Sequence, residues 1–172
     1  SGKTTLARQV FADKPYVSLE DPDERALADA DPRRFLSRFA QGAILDEAQH
    51  CPALFSYLQR VVDEHRRTGE FMLTGSRQFG LMSRITQSLA GRVGLLQLLP
   101  LSLAELSAAG LHPPTLEDML WRGSYPPSHD HALLPSDWMP NYVATYIERD
   151  VRQLLAVRSL GLFQRFLRMC AA

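Results

Sequence analysis

The sequence predicts an α/β protein built on a parallel sheet, and three observations carry that expectation. The chain opens on Ser1-Gly2-Lys3-Thr4-Thr5, the second half of a G-x-x-x-x-G-K-[ST] phosphate-binding loop. Ala43-Ile44-Leu45-Asp46-Glu47 is a short apolar run ending in two carboxylates, as expected of a buried parallel strand that delivers acids to one edge of a sheet. Between and beyond these two segments, short apolar runs alternate with helical patterns, the order that produces strand-helix-strand units.

In such a loop the backbone N–H groups curl around phosphate oxygens. The lysine reaches the outer phosphates, and the hydroxyl after it is a ligand for Mg²⁺. Lys3 and Thr4 hold those two positions, with Ser1, Gly2 and Thr5 completing the nucleotide-binding set. The helix expected from Thr5 to Phe11 points its positive end at the same anion. The first glycine and the strand before it do not precede Ser1, so the sequence reads as an internal fragment. As a fragment it is expected to bind ATP weakly, because most of the backbone cradle is missing. Asp46 suits an outer-sphere hold on Mg²⁺, and Glu47 suits polarising an attacking water. The competing reading is a strand that simply ends in a solvated Asp-Glu pair; Gly2-Lys3-Thr4 upstream, in the right order, favours the first.

The remaining elements follow in turn. Pro15–Leu19 is a strand stopped by the Glu20-Asp21-Pro22-Asp23 cluster. Pro22 to Ala30 is a helix, and Asp31 caps a second one with Pro32 at its first position. Pro52 to Arg67 places Leu54, Leu58, Val61 and Val62 on one helical face, and Gly69 ends it. Phe71–Leu73 is a third strand, closing at Thr74-Gly75-Ser76, and Leu95–Leu99 a fourth, buried one. Trp138 to Leu155 is a helix with Trp138, Tyr142, Ile147, Val151 and Leu154 toward one side. Its aromatic and basic content hints at nucleic acid, but Glu148 and Asp150 interleave with Arg149 and Arg152, which favours core packing. Residues 162–167 have an amphipathic pattern. His112, His129 and His131 fall in a Pro-rich connector and read as exposed loop; His129-x-His131 lacks a third ligand for a metal.

Bulk properties agree with this picture. A chain of 172 residues with 45% apolar and 22% charged residues has room for a domain with a real core. A formal net charge of +0 makes no electrostatic case for nucleic acid or an anionic membrane. The two cysteines, Cys51 and Cys170, have neither metal nor redox spacing, so a reducing, cytoplasmic setting is the default. No apolar run approaches the roughly 20 residues that span a bilayer.

Several blocks occur together in register: Gly2-Lys3-Thr4-Thr5-Leu6, Tyr16-Val17-Ser18-Leu19, Ile44-Leu45-Asp46-Glu47-Ala48-Gln49, Leu73-Thr74-Gly75-Ser76, Ser88-Leu89-Ala90-Gly91-Arg92 and Leu98 through Leu106. With them the chain resembles the AAA-14 family of prokaryotic AAA-type P-loop ATPases, whose full-length members carry a C-terminal DUF4143 domain. The resemblance is looser through Trp121–Pro126 and Tyr146–Val151. It implies a three-layer P-loop fold of the additional-strand type, lacking its first strand, with Phe71–Leu73 inserted between the loop strand and the acidic strand. Residues 1–106 would form the truncated ATP-binding domain, 107–137 a connector, and 138–172 the start of a truncated helical domain. Loss of a central strand would leave unpaired sheet edges.

Carried over residue by residue, the resemblance makes Lys3 and Thr4 the phosphate and Mg²⁺ groups, and Asp46 and Glu47 the acidic pair. Thr74 or Ser76 becomes a polar sensor that orients the lytic water; the alternative is a turn that only caps the strand. Arg92 is either an arginine that reaches the γ-phosphate, from its own subunit or a neighbour in a homo-oligomer, or a surface residue at a helix end. Arg77 is a weaker candidate of the same kind. The implied function is ATP binding with Mg²⁺-dependent hydrolysis, coupled to a C-terminal effector domain. A nucleotide-dependent switch with little turnover and an inactive remnant are the alternatives. A nucleic-acid partner would have to come through the missing part of the C-terminal domain.

Overall fold

The computed structural model describes residues 2–75, 85, 87–130, 133–146 and 160–170. They fall into two compact units, the first ending at Gln97 and the second beginning at Leu98. Expectations for Ser1, Ser76, Arg77, His131 and residues 147–159 lie outside the described residues.

In the first unit three short parallel strands form a sheet in the order β1 (Tyr16–Ser18), β2 (Ile44–Asp46), β3 (Met72–Leu73). Tyr16, Val17 and Ser18 pair with Ile44, Leu45 and Asp46, and Ile44 and Leu45 pair with Met72 and Leu73. Because side chains alternate across a strand, this register sorts the sheet into two faces. Val17, Leu45 and Leu73 share a face with the main core, built from Phe35, Leu36 and Phe39 and from Leu54, Phe55 and Leu58. Tyr16, Ile44, Asp46 and Met72 share the opposite face. Helix α1 (Lys3–Val10) contacts β2, and its Thr4 bonds to Asp46 on that face.

The connecting helices start where their caps dictate. Asp21 accepts from the Asp23 amide at 2.9 Å and opens α2 (Pro22–Ala30). Asp31 ends α2 and, accepting from the Arg34 amide at 2.9 Å, opens α3 (Pro32–Ser37). Each helix has proline just after its cap, where the missing N–H costs nothing. Phe35 and Phe39 meet edge to face at 5.4 Å beneath α4 (Leu54–His65). Helix α4 ends sooner than the glycine signal suggested, at Arg66, which takes the left-handed conformation itself (φ 53°). Cys51 is buried in this core, and burial pushes its thiol up to about 12, followed by the neighbouring Asp29, so it behaves as a packed apolar residue.

The starts of β2 and β3 are tied together at the far end from the acidic pair. Glu70, buried, accepts from Arg67 at 2.6 Å and faces His65 Nδ1 at 2.7 Å. Arg67 also donates to the Ala40 carbonyl at 2.7 Å. Gly42 sits there at φ +85°, with the Glu70 carbonyl where a Cβ would go. Gly42→Ala therefore meets both a steric block and an unfavourable backbone, and is expected to cost about 3 kcal/mol in urea unfolding. A loss under about 0.5 kcal/mol would contradict this packing.

One expected strand is not one. Residues 95–99 carry no regular structure, and Leu95, Leu96 and Leu99 are 58%, 93% and 63% exposed. A strand persists only as part of a ladder, and among the described residues none pairs with this run.

The second unit is helical. Its helices are α5 (Leu103–Ala108), α6 (Leu116–Arg122), α7 (Pro127–Asp130), α8 (Pro135–Tyr146) and α9 (Leu160–Cys170). Helix α5 begins with a reciprocal capping box between Ser102 and Glu105, whose carboxyl is held below its usual range by the Ser102 amide and hydroxyl. Residues 107–137, expected as a connector, include α6 and α7. His129 lies in α7 with its Nε2 3.0 Å from the Gly123 carbonyl, so it is not the exposed loop residue expected. Trp138 stacks on Tyr142 at 4.9 Å and Tyr125 lies 5.2 Å from Tyr142, so these aromatic faces pack on one another. On α9, Leu162, Phe166 and Met169 are exposed.

Candidate active site at the carboxyl end of the sheet

All three parallel strands end on the same edge, and the residues just past those ends converge. Asp46, last in β2, is 6% exposed and sits at the centre. Three hydroxyls from three different elements donate to it. Thr4, in the first turn of α1, lies 3.1 Å from Oδ1 and 3.0 Å from Oδ2. Tyr16 of β1 donates to Oδ2 at 2.8 Å. Thr74, buried just past β3, donates to Oδ1. Three hydroxyl protons are thus shared between the two oxygens, which satisfies the buried carboxylate and leaves it an acceptor position open.

Gly2 takes the left-handed conformation (φ 75°) as the residue before α1, which turns the chain sharply into the helix. Lys3 and Thr4 follow as the first two helical residues, both half-buried, while Thr5 is exposed. The start of α1, the positive end of its dipole, therefore sits beside the Asp46 carboxylate through the Thr4 contact.

Glu47 also has an unusual backbone, left-handed at φ 53° and ψ 45°. Such a conformation in a residue with a side chain costs of order 1 kcal/mol and is held by its surroundings. Here the Ala48 amide donates to the Thr74 carbonyl at 3.0 Å, and a single 3₁₀ turn (Ala48–His50) follows. That turn returns the Gln49 amide to Glu47 Oε2. Gln49 Oε1 and His50 Nε2, beside it, are buried with no hydrogen-bond partner among the described residues.

The structure thus brings Thr4, Asp46 and Thr74 into direct contact. Arg92 lies elsewhere: its guanidinium grips Asp63 of α4 at 2.6 and 3.1 Å on an exposed surface. That pairing holds the Asp63 carboxyl below its usual range. Two residues had no role in the sequence reading, Tyr16 and Gln49. Tyr16 was visible only as part of a strand pattern, since its partner depends on register. Its hydroxyl is pushed above its usual range, first by burial and then by the adjacent Asp46.

Among the described residues no cluster of three His, Cys, Asp or Glu side chains could hold a metal, and no helix is long and apolar enough to cross a membrane. The oxygen donors present, a hydroxyl against a carboxylate, suit a hard cation such as Mg²⁺, which keeps most of its waters and takes few protein ligands.

Comparison with known proteins agrees with the geometry. Residues 1–107 match the AAA_14 family model, described as an AAA domain, and residues 113–172 match a domain of unknown function, DUF8612. The DUF4143 domain expected from the resemblance is not shown. The chain is 35% identical over 163 residues to uncharacterized protein Mb2031c of Mycobacterium bovis and, equally, to uncharacterized protein Rv2008c of Mycobacterium tuberculosis. The match covers 90% of this chain but 34% of each relative, so the chain spans about a third of their length. No solved structure matches it. With the family model covering well over half of its residues, the chain belongs to the AAA_14 family of AAA domains, and its first part is a nucleotide-binding, ATPase-like module.

Proposed function

We propose that this protein binds ATP with Mg²⁺ and hydrolyses it at the carboxyl edge of the sheet. The observation that carries the reading is the Thr4–Asp46 pair, a helix-start hydroxyl lying 3.0 and 3.1 Å from both oxygens of a buried strand-end carboxylate. Lys3 and the amides at the start of α1 would bind the outer phosphates, with Gly2 allowing close backbone approach. Thr4 would hold Mg²⁺ directly and Asp46 through water, accepting from that water at the position the three hydroxyls leave open. Held by Thr4 and Asp46, a Mg²⁺ ion would supply neutralisation of the charge that builds on the phosphate oxygens.

The chain's own residues supply the rest. Glu47, fixed by its left-handed backbone and by Gln49, orients and polarises the water that attacks the γ-phosphate. Thr74 donates to Asp46 and keeps its lone pairs for that water. Ser76 shares the sensor role. Positioning and electrostatics then supply most of the acceleration. The exposed ion pair with Asp63 supports the surface reading of Arg92, and the mechanism needs no group from a neighbouring subunit. Residues 113–172 are the segment to which hydrolysis would be coupled. The free thiols Cys51 and Cys170 suit a reducing, cytoplasmic setting.

The test is phosphate release from ATP by the protein expressed from its own gene, with whatever precedes Ser1 in place. Release that depends on Mg²⁺ and stops with EDTA is expected. Saturable ATP binding with no release would favour the nucleotide switch instead, and neither binding nor release would overturn both.

A further inference from the structure

Asp46 is held by an unequal set of donors. Thr4 carries one proton and lies almost equally far from both carboxylate oxygens, at 3.1 and 3.0 Å, so it cannot pin either one alone. Thr74 engages Oδ1 only, and Tyr16 engages Oδ2 only, at 2.8 Å. Two pins, one on each oxygen, fix the plane of the carboxylate; with either removed it can turn about its Cβ–Cγ bond.

Tyr16 is itself held from two sides. Its hydroxyl is on Asp46, and the Arg8 guanidinium lies over its ring, 4.9 Å from the centroid. Arg8 stands one helical turn after Thr4 on α1, so the tyrosine ties the phosphate-facing helix to the edge strand and to the acid between them.

We propose that Tyr16 is a positioning residue for the metal-holding acid, fixing the Asp46 carboxylate in the orientation that Thr4 needs when Mg²⁺ and nucleotide bind. This rests on the ATP-binding reading given above. It adds to that reading a residue outside the phosphate loop, the acidic pair and the Thr74-Gly75-Ser76 turn.

The experiment titrates Mg²⁺ against a fixed concentration of a fluorescent N-methylanthraniloyl ATP, using the protein expressed from its own gene. Tyr16→Phe keeps the ring and the Arg8 contact and removes the hydroxyl alone. The Mg²⁺ midpoint is expected to rise about 10-fold, the lower end of what losing an outer-shell partner costs a metal site. Binding without Mg²⁺ should stay at the parental level. In an Asp46→Asn background, Tyr16→Phe should add no further shift, because its effect runs through that carboxylate. A parental Mg²⁺ midpoint in Tyr16→Phe would overturn the proposal, as would an equal shift in the Asp46→Asn background. If the parent protein itself shows no Mg²⁺-strengthened binding, the ATP reading fails and this proposal falls with it; a Mg²⁺ effect present in the parent and untouched by Tyr16→Phe removes this proposal alone.

Discussion

Replacing Glu47 with Gln is expected to lower ATP turnover by roughly 10²–10⁴-fold while leaving ATP and Mg²⁺ binding in place. The amide is the same size as the carboxylate and can still meet the Gln49 side chain, so the left-handed backbone and the turn that follows it should survive. What is lost is a group able to take a proton from water. Asp46→Asn should behave differently, weakening the metal-dependent part of binding, because the carboxylate that three hydroxyls orient is gone. Phosphate-release rates and nucleotide affinities measured on both variants separate the two roles. Turnover in Glu47→Gln at the parental rate would show that Glu47 is not the base.

Lys3→Ala is expected to weaken ATP binding by about 10²-fold, the scale of one charge-assisted hydrogen bond to a phosphate. Lys3 is the first residue of α1 and half-buried, next to a left-handed Gly2 that shapes the entry to the helix. Removing the ammonium leaves the helix start and its dipole, so binding should weaken rather than vanish. A fluorescent ATP analogue titrated against parent and variant reads the difference directly. Unchanged affinity would place Lys3 outside the phosphate site.

Much of this site was legible in the sequence, and for identifiable reasons. Asp46 stood out because an apolar run ends on it downstream of Gly2-Lys3-Thr4 in the right order, and the structure makes it the last residue of the central strand. The cap at Asp31 was visible because it stands before a proline at a favourable first helical position, whereas Asp21, read only as part of the cluster that stops β1, caps α2 in the same way. What escaped depended on geometry between distant elements. Tyr16 meets Asp46 across a strand pair whose register, Tyr16 against Ile44, no local pattern announces. Gln49 reaches Glu47 only because Glu47 adopts a positive φ, which is rare for a residue with a side chain. Leu95–Leu99 failed for the converse reason: the run has strand composition, but composition cannot supply a neighbouring ladder. Arg92 was ambiguous in the sequence because its partner, Asp63, lies 29 positions away.

The central claim is that Thr4 and Asp46 form a Mg²⁺-assisted nucleotide site. It is tested most directly by equilibrium binding of the fluorescent ATP analogue to the protein expressed from its own gene, once with excess Mg²⁺ and once with EDTA. The account predicts saturable binding to one site per chain, weakened by EDTA, and insensitive to EDTA once Thr4 is replaced by Ala. Saturable binding of equal strength in both conditions, or no binding by a protein that is demonstrably folded, would contradict it.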